Sequence, residues 1–226
     1  KNCRIQNEKI QNIANDIFKF IKENNIPVYD EKNLSGEIRH LVIRIGVKTG
    51  EVMVTIVTNE RNITKEKNLV DYITKKYSEI KTIVKNINSK NTNVILGNEN
   101  IILYGNGYIF DELLGFKFKI SPMSFYQVNP YQTEKLYSKV IEYANLTGRE
   151  TVFDLYCGIG TIGICASKNI KKLYGIETVP EAIEDAKINA KENNIKNAEF
   201  FVGDVEKTLP NFIKKNKIAV DVIFVD

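Results

Sequence analysis

A short apolar run that ends in two closely spaced glycines is the most restrictive feature of this 226-residue sequence. It occupies Thr151–Thr161 and reads T-V-F-D-L-Y-C-G-I-G-T. Its apolar residues predict a buried strand, and Gly158 and Gly160 predict a tight turn before a helix. Glycine has no Cβ, so such a turn lets a ligand approach the backbone closely. The order strand, glycine turn, helix is typical of the place where open α/β sheets bind nucleotides.

The residues after this turn alternate between strand and helix patterns. Strands are predicted at Thr151–Tyr156, Lys172–Ile176, Ala198–Val202 and Val220–Val225, and a helical pattern follows each of the first three. Parallel strands need crossover connections, so this order requires a parallel, doubly wound sheet. We therefore predict an α/β domain over residues 121–226.

Two helices of this domain have recognisable starts. Asn129 and Pro130 suit the N-cap and the first position of one helix. The buried stripe of that helix is expected at Leu136, Val140 and Tyr143 or Ala144. Thr178–Glu181 reads T-V-P-E, which predicts a capping box at the start of the other helix.

The first half of the chain has the mixed pattern of a separate α+β domain, predicted over residues 1–120. Alternating residues predict a β-hairpin, and further periodic segments predict two helices and additional strands. The helices are expected at Asn7–Asn24 and Asn68–Tyr77, the hairpin at Arg39–Ile45 and Val52–Thr58, and later strands near Thr82–Ile87 and at Phe116–Ile120.

Composition narrows the class of protein. Residues 1–120 carry 19 lysines and arginines against 14 acids, and residues 121–226 carry 13 against 14, for a net charge of +4. The first half is therefore the better candidate for contact with phosphates, although lysines on solvated helix faces give the same excess. No apolar run reaches the ~20 residues of a membrane helix. Three cysteines without framework spacing favour a reducing, cytoplasmic compartment.

The few basic and histidine side chains of the hairpin are weak candidates for a site. His40 is the single histidine of the chain, and Arg39 and Arg44 lie on the same predicted strand. A lone histidine or arginine on a strand face is more often structural than functional. We therefore expect no catalytic role for these three residues.

The glycine turn leaves two classes of nucleotide ligand open. Gly158–Gly163 matches G-x-G-x-x-G, and Glu177 follows at the distance of a ribose-binding acid, as in a dinucleotide-dependent dehydrogenase. Against this, Asp154 lies within the first strand and Asp204 follows the third. Acids at three strand ends suit S-adenosylmethionine, which carries an ammonium group, a ribose diol and an amine but no pyrophosphate. Asp154 is then expected near the methionine end, Glu177 at the ribose and Asp204 near the adenine.

Four segments resemble the RNA 5-methyluridine methyltransferases, closest to the bacterial 23S rRNA (uracil-5-)-methyltransferases. They read S-P-M-S-F-Y-Q-V-N-P, D-L-Y-C-G-I-G-T, G-I-E-T-V-P-E-A-I-E-D-A and V-D-V-I-F-V-D, and the hairpin is similar to that family's central domain. The resemblance covers nearly the whole chain. It implies a central α+β domain followed by a Rossmann-like S-adenosylmethionine-dependent methyltransferase domain, truncated here after its fourth strand. We therefore expect an internal fragment of a longer protein.

The same resemblance implies which residues bind the cofactor and what the substrate is. Gln127, Tyr156, Glu177 and Asp226 are expected to contact S-adenosylmethionine. Thr161, which stands where several relatives have Asn, is a further expected contact. Asp154 and Asp204 join them through the strand-end argument, and Gly158 and Gly160 through the glycine turn, which lets a ligand approach the backbone. RNA, and 23S rRNA in particular, is the expected substrate of a monomeric enzyme.

In that family a cysteine thiolate adds to C6 of uracil, C5 takes the methyl group, and a base removes the C5 proton. The resemblance places this cysteine and this base beyond Asp226, so the chain alone is expected to be inactive. Cys157, in the turn, and Cys165, on a buried helix face, are not expected to be nucleophiles. Cys3 stands where several members supply the last of four cysteines to a [4Fe–4S] cluster. One cysteine cannot hold a cluster, so we expect Cys3 to be a free thiol in this chain and a cluster only in the full-length protein.

Two other hypotheses stay open at this point. The first is a methyltransferase that acts on another nucleobase or on a small molecule, which the absence of a downstream cysteine would favour. The second is a non-catalytic RNA-binding module, which RNA binding without adenosyl-ligand binding would favour.

Overall fold

The computed structural model describes residues 6–225 and separates the chain into two compact units, Lys1–Ile109 and Phe110–Asp226. The boundary lies earlier than the one predicted after residue 120. Leu113, Phe116 and Phe118 are buried in the core of the second unit. The assignment of Phe116–Ile120 to the first domain was therefore wrong: alternation shows which side chains of a strand are buried, but not in which core.

The first unit is a four-stranded sheet covered by two helices. Its strand order is β1-β2-β3-β4, with β2 and β3 parallel and the other two pairs antiparallel. The elements are α1 Glu8–Glu23, β1 Ile38–Ile45, β2 Val52–Thr58, α2 Glu66–Lys76, β3 Ile80–Ile87 and β4 Glu99–Tyr104. Ile13 and Ile17 of α1 pack with Leu69 of α2 and with alternate residues of the strands. The predicted hairpin and both helices of this unit are confirmed.

The second unit begins with a hairpin and continues as an alternating α/β sheet. The hairpin strands are β5 Ile109–Leu113 and β6 Phe116–Ile120. The remaining elements are α3 Pro130–Tyr143, β7 Thr151–Leu155, α4 Thr161–Ala166, β8 Lys172–Glu177, α5 Pro180–Glu192, β9 Ala198–Val202, α6 Val205–Asn216 and β10 Val222–Val225. The strand order is β10-β7-β8-β9, and all three pairs are parallel. The predicted doubly wound arrangement is confirmed.

Helices cover both faces of this sheet because its strands are apolar on both sides. Val152 and Leu173 face a core with residues of α3, α4 and α5, whereas Phe153 and Ile176 face the side covered by α6. The carboxyl ends of β7, β8 and β9 therefore meet at one edge, with helices starting above them. No helix among residues 6–225 combines the length and the apolar character of a membrane span.

Two details of the helices differ from the predictions. Of the stripe predicted for α3, Val140 and Ala144 pack against the core, whereas Leu136 and Tyr143 are exposed. The buried residues of the helix include Thr133 and Tyr137, so the helix is rotated and Tyr137 faces the core. At α5 the N-cap is Val179 and no side chain caps the helix. The predicted capping box does not form, because the Thr178 hydroxyl donates to Glu177 instead.

Phe118 tests the boundary between the units. It is fully buried, whereas Phe18 of α1 is exposed. We expect Phe118→Ala to lower the free energy of unfolding of the second unit by about 3–5 kcal/mol, because the buried ring is lost and a cavity remains. Hydrogen exchange should then accelerate in α4 and α5 but not in α1 and β2. Phe18→Ala is the control, and acceleration in the first unit alone would contradict the boundary.

Candidate functional site

The glycine turn forms where β7 ends. Tyr156, Gly158 and Gly160 have φ values of +60°, +54° and +81°, which bend the chain sharply. Gly160 N–H donates to the Cys157 carbonyl at 2.8 Å, and Cys157 N–H donates to the Ile176 carbonyl of β8 at 3.1 Å. A Cβ placed on Gly158 would meet no atom within 4 Å. The backbone of this turn therefore faces open space that a ligand can enter.

Glu177, the last residue of β8, fastens the turn. Its Oε2 accepts from Gly158 N–H at 3.2 Å. Its Oε1 accepts from the N–H groups of Thr178 and Val179 at 2.6 and 3.0 Å, and from the Thr178 hydroxyl at 2.9 Å. Partial burial raises the pKa of this carboxyl, but the hydrogen bonds outweigh burial and its pKa lies below the ordinary value. Glu177 is therefore ionised at neutral pH, and Oε2 can accept one more hydrogen bond.

Asp154 lies beneath the turn, within β7, and is buried. Its Oδ2 accepts from the Gly163 N–H of α4 at 3.0 Å. A Cβ on Gly163 would lie 2.7 Å from that same oxygen and 2.8 Å from a methyl carbon of Leu173. The third glycine of the G-x-G-x-x-G pattern is thus required for the close approach of α4 to the sheet. Gly163 is therefore explained by packing, and it is no evidence that the turn binds the pyrophosphate of a dinucleotide.

A small cavity of about 40 Å³ brings five of the predicted residues together. Its lining residues are Gln127, Asp154, Tyr156, Gly158 and Thr161, with Phe125, Tyr126, Tyr137, Cys157, Ile159 and Ile162. Ligand pockets usually measure about 300–1,000 Å³. A nucleoside-sized ligand would therefore lie across the mouth of this cavity, against the half-exposed Tyr156 ring, rather than within it.

The other predicted residues occupy different positions. Gly160 lies within the turn but not on the cavity wall; a Cβ there would come 3.0 Å from the Phe200 ring. Asp204 follows β9 at the same sheet edge, is exposed, and caps α6 by accepting from Lys207 N–H at 3.2 Å. Glu177 reaches the cavity only through its bond to Gly158. Asp226 and Cys3 lie outside the described residues.

Cys157 and Cys165 are both buried free thiols. Burial, with the nearby Asp154 carboxylate, raises the pKa of the Cys157 thiol far above its usual range. The same two causes raise the pKa of Cys165 to about 12. Neither sulfur is a thiolate at neutral pH, so neither can act as a nucleophile in this environment.

Arg39, on β1, makes its hydrogen bonds within the first unit. Arg39 donates to the carbonyls of Asn88 and Lys90 at 2.7 and 2.8 Å, and its guanidinium lies 4.4 Å from the centre of the Tyr29 ring. Burial lowers the pKa of Arg44. Across residues 6–225, no group of three or more His, Cys, Asp or Glu side chains is placed to hold a metal ion.

Sequence reasoning missed Tyr137, which is buried in the wall of the cavity. Its hydroxyl lies 3.0 Å from the Thr161 hydroxyl, within hydrogen-bonding distance. The signal was present in the spacing of Thr133, Tyr137 and Ile141 along α3, which forms a stripe equivalent to the one that was chosen. When a helix carries two possible buried faces, the sequence of the helix alone does not show which of them packs against the core.

The chain is similar in sequence to known methyltransferases. Residues 146–226 match the family model for a methyltransferase domain. A protein of Clostridium acetobutylicum named as an uncharacterized RNA methyltransferase is 51% identical over 224 residues, covering 99% of this chain and 48% of that protein. One of Clostridium tetani, named in the same way, is 45% identical over 226 residues, covering 100% and 49%. The chain therefore spans about half the length of the curated relatives it matches.

A solved structure matches both halves of the chain. The crystal structure of the Pyrococcus abyssi tRNA (uracil-54, C5)-methyltransferase in complex with S-adenosyl-L-homocysteine has a TM-score of 0.71 at 33% identity. The match covers 86% of this chain and 47% of that one. The predicted α/β class, with a Rossmann-like S-adenosylmethionine-dependent methyltransferase fold after an α+β domain, is thereby confirmed.

The Glu177 hydrogen bonds make stability depend on pH. We expect Glu177→Gln to lower the free energy of unfolding by about 1–2 kcal/mol at neutral pH, because an amide oxygen is a weaker acceptor and its NH₂ group faces donors. Because the pKa is lowered by folding, this contribution is present above the ordinary glutamate pKa of about 4.3 and is lost as pH falls through the lowered value. Urea unfolding at neutral and at acid pH measures it.

Glu181→Gln is the matched control for this experiment, since Glu181 is an exposed acid in the first turn of α5. Its effect should be small at every pH. A Glu177→Gln effect that does not shrink in acid would contradict the assignment of the hydrogen bonds to the ionised carboxylate.

The positive φ of Tyr156 predicts an unusual order of stabilities. Tyr156→Gly should be more stable than Tyr156→Ala by about 1 kcal/mol, because only glycine adopts this conformation without a Cβ clash. At Lys139, exposed in the middle of α3, the order should reverse, since glycine weakens a helix. Chemical unfolding of the four variants tests this, and the same order at both positions would contradict the strained turn.

Proposed function

We propose that this chain is the cofactor-binding part of an S-adenosylmethionine-dependent RNA methyltransferase that acts on C5 of uracil. The observation that carries the proposal is the cluster at the glycine turn: an open backbone at Gly158, an ionised Glu177 bonded to it, and the exposed ring of Tyr156 beside the cavity. The P. abyssi enzyme with a matching fold holds S-adenosyl-L-homocysteine and methylates uracil C5 in tRNA by its name.

The residues of the cluster suit the parts of an adenosyl ligand. Oε2 of Glu177 retains the capacity to accept from one ribose hydroxyl. The half-exposed Tyr156 ring offers an apolar surface, and Gln127 offers an amide that both donates and accepts. Asp154, whose Oδ2 already accepts from Gly163, supplies negative charge beneath the position proposed for the methionine ammonium. Asp204, which follows β9, is proposed at the adenine side. Asp226 is proposed as a further contact to S-adenosylmethionine.

The same charges disfavour a dinucleotide. Asp154 is buried under the turn, and Glu177 is ionised at its rim. A pyrophosphate at Gly158 would lie beside both carboxylates, and like charges in a partly desolvated site repel. S-adenosylmethionine presents a sulfonium and an ammonium group instead. We therefore place a nicotinamide-dependent dehydrogenase last.

We propose 23S rRNA as the substrate of the whole protein and the excess of basic residues in the first unit as one source of RNA contact. Uracil C5 becomes nucleophilic only after a thiolate adds to C6. Cys157 and Cys165 do not supply that thiolate, because their pKa values are raised by burial. We expect this chain alone to bind cofactor without transferring methyl groups to RNA.

Calorimetric titration with S-adenosylhomocysteine and, separately, with NAD tests the ligand class. We expect heat with the first and none with the second. Glu177→Ala should abolish S-adenosylhomocysteine binding, because the ribose acceptor and the bond to Gly158 are both lost, whereas Glu181→Ala should bind as the parent chain does. Binding of NAD alone, or unchanged affinity in Glu177→Ala, would overturn the proposal.

A further inference from the structure

The free edge of β6 is satisfied by side chains of α5 rather than by another strand. Lys117 N–H donates to Asn193 Oδ1 at 2.8 Å, and Lys119 N–H donates to Asn189 Oδ1 at 2.7 Å. The Lys117 carbonyl accepts from Asn193 Nδ2 at 2.6 Å. Further along the same edge, Ser121 N–H donates to the Ser124 hydroxyl, which donates in turn to Asp185. We call Asp185, Asn189 and Asn193 the α5 ladder.

The spacing of the ladder follows from elementary geometry. N–H groups of every second strand residue point to the same edge, about 6.6 Å apart along the strand. Four residues of an α-helix rise about 6 Å. Residues four apart on α5 can therefore meet residues two apart on β6, which is the correspondence of 193 with 117 and of 189 with 119.

Two members of the ladder reach the walls of the candidate site. Asn189 is completely buried, and its Nδ2 donates to the Ile159 carbonyl, between the two glycines of the turn, at 3.1 Å. Asp185, also buried, accepts from the Lys119 ammonium and from the Ser124 hydroxyl, each at 2.8 Å. Ser124 stands directly before Phe125, Tyr126 and Gln127, which line the cavity. Asn193 Nδ2 also donates to the Asn189 backbone carbonyl at 2.7 Å, and among residues 6–225 no hydrogen bond joins the Asn193 side chain to either wall.

We propose that Asp185 and Asn189 are positioning residues for the adenosyl ligand: Asp185 fixes the loop that carries Gln127, and Asn189 fixes the glycine turn. This inference rests on the proposed function. One helix thus sets the distance between the two walls across which the ligand lies. Burial makes the arrangement rigid, because a buried donor or acceptor that loses its partner is costly.

The loop is tested without any ligand. Ser124→Ala and Asp185→Asn should each make the amides of residues 121–124 exchange about tenfold faster in residue-resolved NMR, with little change in α4 or β7. The control is Glu184→Gln, which replaces an exposed acid next to Asp185 on α5. It should change amide exchange neither in residues 121–124 nor in α4 or β7. Exchange that rises equally throughout the second unit, or stays unchanged in the loop, would show a merely structural role and overturn the proposal.

The turn is tested by affinity for S-adenosylhomocysteine. Asn189→Asp keeps the acceptor for Lys119 N–H but replaces the donor to Ile159 by an oxygen, and we expect about tenfold weaker binding or more. Asn193→Asp makes the same change on a ladder residue away from the site and should change affinity less than about twofold. Equal losses in both variants would overturn the proposal. If the parent chain binds no S-adenosylhomocysteine, the proposed function fails, and the exchange experiment alone decides whether the ladder positions the loop.

Discussion

The hydrogen bond from Gly158 N–H to the Glu177 carboxylate is the interaction on which the site depends. It joins the end of β7 to the end of β8 at the edge where the helices begin. Three further donors hold the carboxylate ionised and fixed in direction. The strained backbone of the turn is therefore held in place by a carboxylate that is itself fixed by several hydrogen bonds.

The cavity at this site is shallow. The glycine turn, Tyr156 and the loop that carries Gln127 surround a cavity of only about 40 Å³. A ligand would gain most from a backbone it can approach and from charges it can pair with, rather than from enclosure. In the function proposed above, the strand-end acids select the ligand by its charge. That selection favours a cationic adenosyl compound over a dinucleotide.

Much of the fold could be predicted because periodicity is a local property. The hairpin of β1 and β2, the strand–turn–helix at β7, and the Asn129 cap of α3 all follow from nearby residues. The predictions that were wrong concern which core a strand packs against and which acceptor a side chain bonds to. Phe116–Ile120 is a strand, as predicted, but its apolar face joins the second core. Thr178 prefers the Glu177 carboxylate to the end of α5.

The candidate site was only partly predictable for the same reason. Glycines and acids at strand ends are visible in sequence, and Asp154 and Gly158 do line one cavity. The carboxylate of Asp204 also caps α6, a role that the strand-end argument did not include, and its contact with a ligand stays a prediction. The α5 ladder could not be foreseen, because its members bond to β6, which lies about 70 residues earlier in the chain.

The most direct test of the account is an NMR titration of the ¹⁵N-labelled chain with S-adenosylhomocysteine, followed amide by amide. We expect the largest shifts at Gly158, Gly160, Thr161 and Thr178 and in the loop that carries Gln127. Residues 6–109 should stay unchanged. Shifts confined to the first unit, or binding that leaves the amides of the glycine turn unmoved, would contradict the proposal that this edge of the sheet is a cofactor site.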